Sequence, residues 1–222
     1  MSIDISEVAK QIFSKIDLLD SNKKQFFESI INDGNTLIEC IDFLLAVECQ
    51  DLYELLTPVI DEIFRDLHIS ITLAMANEYK ASCVLFRTFV ETSLYLLYFI
   101  DHPLEAKLWA NNVNDMNFQD VLGHICKDKY LEVASSRNQD PAKIKGYKSS
   151  LETAYRALSE RVHGKYQFLQ TNETRDNIVE LFTSEIAKPS TKSLTSLCLS
   201  RVKEPTKLIE KVPALNRFVG IN

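Results

Sequence analysis

Residues 81–100, ASCVLFRTFVETSLYLLYFI, carry only two charges, Arg87 and Glu91. A helix on the surface of a globular protein has an apolar stripe and a polar face. This segment is apolar nearly all round, so it is predicted to be the central helix of an all-helical domain, enclosed by others. Its length would also suit a bilayer crossing. The two charges decide against that, because each costs roughly 2.5–3.5 kcal/mol at a bilayer centre. No second span is present to shelter them, so no membrane is expected as a partner. Arg87 and Glu91 stand four positions apart and are neighbours on one helical face. Buried charges are rare unless paired. The two are therefore predicted to be a structural buried polar pair, satisfied by each other or by another helix.

The rest of the chain favours the same class. Only 5 Gly and 6 Pro occur in 222 residues, too few for many strands and tight turns. The expected fold is all-α: a helical bundle around a central hydrophobic helix, with helical extensions at both ends. Residues 1–57 form the first extension, 58–170 the core and 171–222 the second extension. The net charge is −6, which argues against general nucleic-acid binding through bulk charge. The charge is uneven. Residues 188–222 hold seven Lys or Arg against Glu204 and Glu210, a net +5, leaving −11 for residues 1–187. A basic end on an acidic body can touch RNA, a partner or the body itself, and intramolecular charge balance is the simplest of these. The cysteines (Cys40, Cys49, Cys83, Cys126 and Cys198) are scattered and odd in number, with no C-x-x-C. They read as small buried apolar groups in a reducing, cytoplasmic setting. The opening MSIDISEVAK has no apolar core segment, so no signal peptide is expected.

Taken in order, residues 3–19 show Ile5, Val8, Ile12, Ile16 and Leu19 at helical spacing. Phe26, Phe27, Ile30 and Ile31 suggest a short second helix, closed by the turn signal Asn32-Asp33-Gly34-Asn35. Thr36 is a candidate cap for a third, with Glu39 as capping-box partner. Pro58 is expected near the first turn of the next helix. That helix bends or breaks at Asn77-Glu78, and the central helix then packs against it antiparallel. Asp101-His102-Pro103 stops the central helix, and Pro103 restarts a short one through Trp109. Residues 111–117 are loop, 118–130 and 131–136 shorter helices, and 147–163 the last long helix of the core. Its predicted buried stripe is Tyr147, Leu151, Ala154, Tyr155, Leu158 and Val162, with Gly164 as a C-terminal stop. Helices are expected again at 173–187 and 191–203, and more weakly beyond Pro205.

Motifs for metal, nucleotide or cofactor chemistry do not emerge. His68, His102, His124 and His163 share no ligand spacing, and there is no H-E-x-x-H, P-loop or G-x-G-x-x-G. No metal, cofactor or DNA-binding motif is implied. The end of the 147–163 helix is more informative. Arg156, Ser159 and His163 are spaced by three and four, and seven residues turn a helix by about 700°. Arg156 and His163 therefore lie nearly in line, about 10.5 Å apart along the axis. A cation, a hydroxyl and an imidazole share one polar strip, opposite the buried stripe. The helix dipole favours an imidazolium at that end. Such a set suits metal-independent RNA cleavage, the imidazole moving a proton and the guanidinium stabilising charge on phosphorus. The competing reading is that Ser159 and His163 bond to each other or to a neighbouring helix and serve packing.

A long helix carrying L-x-R-x-x-x-E (Leu85, Arg87, Glu91) followed by L-S-x-x-V-H (Leu158 to His163) resembles HEPN-like helical domains over roughly residues 58–170. The resemblance implies an α-helical bundle, often dimeric, and for many members a metal-independent ribonuclease of toxin–antitoxin or phage-defence systems. It implies catalytic roles for Arg156 and His163, whose six-residue separation is the upper limit of the family motif of Arg, four to six residues, then His. The residue after the motif Arg is usually polar and here is Ala157; Arg161, two before His163, is another cation in reach. Other members are non-catalytic scaffolds.

Two functional readings follow. In the first, a homodimer pairs two copies of Arg156 and His163, with Ser159 alongside, around an RNA substrate. In the second, the chain is a non-catalytic helical module that binds a partner protein as a regulatory or defence-system subunit. A small-molecule pocket between helices near Trp109 and the Arg87/Glu91 pair is a third.

Overall fold

The structure, a computed structural model, describes residues 21–76, 78–127, 130, 140–163, 180–202 and 205–218. The helix expected over 3–19, that over 131–136, the Gly164 stop and the start of the 173–187 helix lie outside the described residues. Every regular element among those described is helical, with no strand. The helices are α1 (Ser21–Glu48), α2 (Gln50–Met75), α3 (Tyr79–Phe99), α4 (Pro103–Ala110), α5 (Phe118–Ile125), α6 (Pro141–Val162), α7 (Lys188–Ser200) and α8 (Pro205–Lys211). A π-helical turn, Phe182–Ala187, leads directly into α7, and a 3-10 turn, Pro213–Arg217, follows α8. No helix among the described residues is long and apolar enough to cross a membrane.

The predicted central helix is α3. It packs on α2, α6, α5 and α7 and touches α1 and α4. Phe86, Phe89, Val90, Leu94, Leu96, Leu97 and Phe99 are all fully buried on it. Only a narrow strip that includes Ala81, Val84 and Thr88 opens to solvent, which fits its near-continuous apolar sequence. α2 and α3 form an antiparallel pair, with α2 ending at Met75 and α3 starting at Tyr79, as the periodicity implied. The hydrophobic core is not confined to 58–170. One cluster runs from Phe27 and Leu37 through α3 to Leu194, Leu208 and Leu215. Described residues on both sides of 58–170 thus contribute to the same interior.

Three local expectations are corrected. The Asn32-Asp33-Gly34-Asn35 segment is not a turn: α1 runs through it unbroken for 28 residues. Tertiary contacts override the local turn signal. Asp33 is buried, Asn35 Oδ1 meets His68 Nε2 of α2 at 2.9 Å, and the Thr36 hydroxyl donates to the Asn32 carbonyl at 2.6 Å instead of capping a new helix. Gly34 lets α2 approach, since a Cβ built there would stand 2.4 Å from Leu67 Cδ2. Pro58 does not open a helix either; α2 begins eight residues earlier, at Gln50. Pro58 sits on the exposed side, where the carbonyl it leaves without a donor faces water. α6 likewise starts at Pro141 rather than 147, with Asp140 accepting from the Ala142 amide at 2.9 Å as its N-cap.

α7 is built for close contact. Its sequence, KPSTKSLTSLCLS, is rich in small hydroxyl residues, and Ser190, Thr191, Thr195 and Ser200 are buried. Each hydroxyl donates back to its own helical backbone, for example Ser190 to Ile186 O at 2.7 Å and Thr195 to Thr191 O at 2.8 Å. Their polarity is satisfied locally, so α7 can lie against α1 and α6 as if apolar. Pro189 lacks the amide hydrogen and crowds the carbonyl four residues back. That is a physical reason for the wider π turn just before it.

Two predictions arise from this packing. Gly34→Ala lowers stability by about 1 kcal/mol in urea titration, because overpacking against fully buried Leu67 outweighs the gain in helix propensity; at an open helical site the same change would stabilise. The second concerns Asp66, which is buried with Oδ2 lacking a hydrogen-bond partner among the described residues. Burial first, and Glu62 second, push its carboxyl up to about 6, while Arg65 opposes them. Its folded pKa exceeds the unfolded one, so the native state holds the proton more tightly, and stability falls as pH rises from about 4 through 6. Asp66→Asn should stabilise the protein by about 2 kcal/mol at pH 8 and have little effect near pH 4, as read from melting curves at the two pH values.

Candidate functional site

Arg87 and Glu91 of α3 face α6 and touch it directly. Arg87 Nη2 lies 3.1 Å from Glu91 Oε1, and Nε donates to the same oxygen at 3.2 Å. A third group joins them from α6: Arg87 Nη2 donates to the Tyr155 hydroxyl at 2.7 Å, and that hydroxyl donates to Glu91 Oε1 at 2.5 Å. The guanidinium also sits 4.8 Å from the Tyr155 ring centroid. Phe118 of α5 stacks on the other side of the chemistry, with centroids 3.9 Å apart and ring planes within 9°. The pair is half-buried rather than enclosed, with 25% and 22% of the two side chains exposed. Burial works against the Arg87 charge, but Glu91 and Tyr155 together outweigh it and hold its pKa above the ordinary value. Burial and then the bond to Glu91 push the Tyr155 hydroxyl up. Tyr95, one turn further along α3, is pushed up by burial and by the Glu91 carboxylate.

Tyr155 begins a polar ribbon. Successive steps of four advance only about 40° around a helix, so Tyr155, Ser159 and His163 climb α6 from the Arg87–Glu91 pair toward solvent. Arg156 stands beside His163 on that outer edge. Ser159 is half-buried, and Arg156 and His163 are exposed. The helix ends at Val162 and His163 is its C-cap, with its amide donating to the Ser159 carbonyl at 3.0 Å. Neither the Arg156 nor the His163 side chain makes a hydrogen bond or ion pair among the described residues. The alternative cation, Arg161, leaves the ribbon: it turns toward α3, where its charge bears on Cys83. Burial raises that thiol to about 11 and Arg161 opposes the rise.

The sequence spacing identified Arg156, Ser159 and His163 but assigned Tyr155 to the buried stripe. A signal was present, since Tyr155 precedes Ser159 by four and a tyrosine buried beside two charges needs a hydroxyl partner. The connection to Arg87 spans 68 positions and has no local signature.

A second polar node lies at the far end of α3. Arg201, which follows α7, is buried. Its guanidinium bonds to the Leu97 carbonyl and the Tyr130 hydroxyl and stands 2.9 Å from Asp101 Oδ2. Tyr130 also donates to Asp101. One cation of the basic C-terminal part is therefore folded into the body. His102 stacks on Tyr98 at 3.9 Å, and its ring centroid lies 4.9 Å from that of His124. The two histidines share no sequence spacing, yet the fold brings them together. Burial, His102, Lys127 and Arg201 all hold His124 below its usual pKa. Among the described residues no group of three or more His, Cys, Asp or Glu could hold a metal ion.

Beside this node is an open cleft of about 290 Å³, lined by Tyr98, Glu105, Asp115, Met116, Asp120 and His124, among others. It does not involve Trp109 or the Arg87/Glu91 pair, where the sequence suggested a pocket. Trp109 packs against Phe99 at 5.3 Å. The cleft has three carboxylates and no lysine or arginine in its lining, so it does not suit a phosphate backbone.

No family model, curated protein or solved structure matches the chain.

Tyr155→Phe removes the hydroxyl that bridges Arg87 and Glu91 but keeps the Phe118 stack. It should cost about 1–2 kcal/mol. Glu91→Gln should cost a similar amount, less than a fully enclosed pair would lose. The double variant should cost distinctly less than the two single losses added together, because both changes break one network. Additive losses in urea titration would show that the three groups are not coupled.

Proposed function

We propose that the chain is a HEPN-like effector of the toxin or phage-defence type that cleaves RNA without a metal, with Arg156 and His163 as its reactive pair. The observation that supports this reading is the position of His163. A histidine retained for packing would be buried with its ring nitrogens bonded to neighbouring helices, whereas His163 is exposed at the C-cap of α6, on the same side of the helix as exposed Arg156. The sequence resemblance to HEPN-like domains points to the same two residues.

In this mechanism the His163 imidazole takes the proton from a ribose 2′-hydroxyl as that oxygen attacks phosphorus. Arg156 stabilises the charge that builds on the phosphoryl oxygens. The 5′-oxygen leaves with a proton supplied by a second imidazole, and the products carry a 2′,3′-cyclic phosphate and a 5′-hydroxyl. One chain offers one such histidine on this edge, so a homodimer that apposes two α6 ends supplies the base and the acid together. The α6 residues Arg156 and His163 are about 10.5 Å apart along the axis. That separation favours the His163 of one copy acting together with the Arg156 of the other at one phosphate. Arg87, Glu91 and Tyr155 position α6 against α3 and thereby fix where the ribbon points.

A non-catalytic protein-interaction subunit is the second reading. The net charge of −6 favours it. So do large apolar side chains on the surface, such as Val113 at 69% and Leu104 at 67% exposure, which suit a protein partner better than RNA.

The test is cleavage of end-labelled cellular RNA by the purified chain in EDTA, with identification of the new ends. Cyclic phosphate ends are expected. His163→Ala and Arg156→Ala should each lower the rate by about 100-fold or more, with melting temperatures unchanged, since both side chains are exposed. Intact RNA, or cleavage that needs added divalent metal, overturns the nuclease and leaves the interaction subunit.

A further inference from the structure

Cys40 of α1 and Cys198 of α7 lie 158 positions apart in the chain, yet their sulfurs are 2.8 Å apart. Both are fully buried. A disulfide bond is about 2.05 Å long, so the two sulfurs are within about 1 Å of bonding distance. The two helices that carry them, α1 and α7, pack against each other. Among the described residues the one hydrogen bond of either thiol is the one between them, with the Cys198 Sγ donating to Cys40 Sγ. The remaining cysteines are apart from this pair. Cys49 donates to the Ile100 carbonyl at 3.0 Å, and Cys83 lies on α3 and Cys126 at the end of α5.

We infer that Cys40 and Cys198 are a redox modification site, oxidised by a hydroperoxide to an internal disulfide that staples α7 to α1. One thiolate attacks the peroxide: an S–O bond forms, the O–O bond breaks and water leaves with a proton. The second sulfur attacks the resulting sulfenic acid: the S–S bond forms, the S–O bond breaks and a second water leaves. Two thiols lose two electrons and two protons, which reduce hydrogen peroxide to two waters. Burial holds the Cys198 thiol well above its ordinary pKa. The closed fold therefore reacts slowly, and oxidation proceeds through brief separation of α7 from α1.

The staple would act beyond its own helices. Arg201 lies three residues after Cys198 and ties Leu97, Asp101 and Tyr130 together at the end of α3. Fixing α7 fixes that node. The cross-link also closes a long loop, where the loss of unfolded-state freedom is large.

The experiment treats the reduced full chain with hydrogen peroxide at 37 °C, quenches free thiols, and maps non-reduced peptides by mass spectrometry alongside melting curves. A Cys40–Cys198 linked peptide is expected. The melting temperature should rise by at least about 5 °C, reversing with dithiothreitol. Cys198→Ala should lose both the peptide and the shift, while Cys126→Ala should keep them. Because the linked peptide is read on the unaltered chain, a poorly folding variant does not obscure the result. Oxidation of Cys49 or Cys126 without a Cys40–Cys198 link overturns the inference. So does a link that leaves the melting temperature unchanged or lowers it.

Discussion

Enclosure of α3 is the constraint on which the remaining structure depends. Its fully buried side chains include three phenylalanines, Phe86, Phe89 and Phe99. Burying such a side chain stabilises by about 1.5–3 kcal/mol relative to exposing it, so a helix apolar on nearly every face must be covered on nearly every face. No single neighbour can do that. α2 covers one side, α6 and α5 another, and α7 and α1 reach around from opposite ends of the chain. The described parts of the chain outside 58–170, α1 and the elements from Phe182 to Leu215, thus share in enclosing the core.

An enclosed helix must still place its polar groups, and the fold uses the same device at two points along α3. At each, a carboxylate from the α3 region meets a guanidinium, with a tyrosine hydroxyl between them: Glu91, Arg87 and Tyr155 in the middle, and Asp101, Arg201 and Tyr130 at the end. A tyrosine suits this position because its ring extends the apolar packing while its hydroxyl both donates and accepts. In the middle node the tyrosine belongs to α6, so the charge network sets the register of α6 on α3. That register determines which edge of α6 is open, and hence that Arg156 and His163 face solvent while Leu151, Ala154 and Leu158 face inward.

The candidate site was half legible in the sequence. Arg156, Ser159 and His163 lie on one short segment, where helical geometry alone places them on one strip. Tyr155 is missed because the same periodicity assigns it to the apolar stripe, and it lies at the boundary between the stripe and the strip. The His102–His124 approach and the Arg201 node are not legible at all, because their partners are separated by a helix and a loop or by between 71 and 104 positions. The turn signal at 32–35 misleads for a related reason. A Gly between Asp and Asn favours a turn locally, but here Gly34 provides the space that α2 needs beside Leu67.

What the sequence determined by itself is whatever depends on periodicity and composition: an all-helical fold, the identity of the central helix, the break between α2 and α3, and a polar strip at the end of α6. These follow from spacing along one helix, where three and four residues define a face whatever else the chain does. Only the tertiary structure decided what crosses between helices. It made α1 continuous, opened the Arg87–Glu91 pair to partial solvent and gave it Tyr155, folded one basic C-terminal residue into the interior, and set Cys40 against Cys198. Each of these is a meeting of side chains from different elements, fixed by how the apolar faces fit together, and no local pattern encodes that fit.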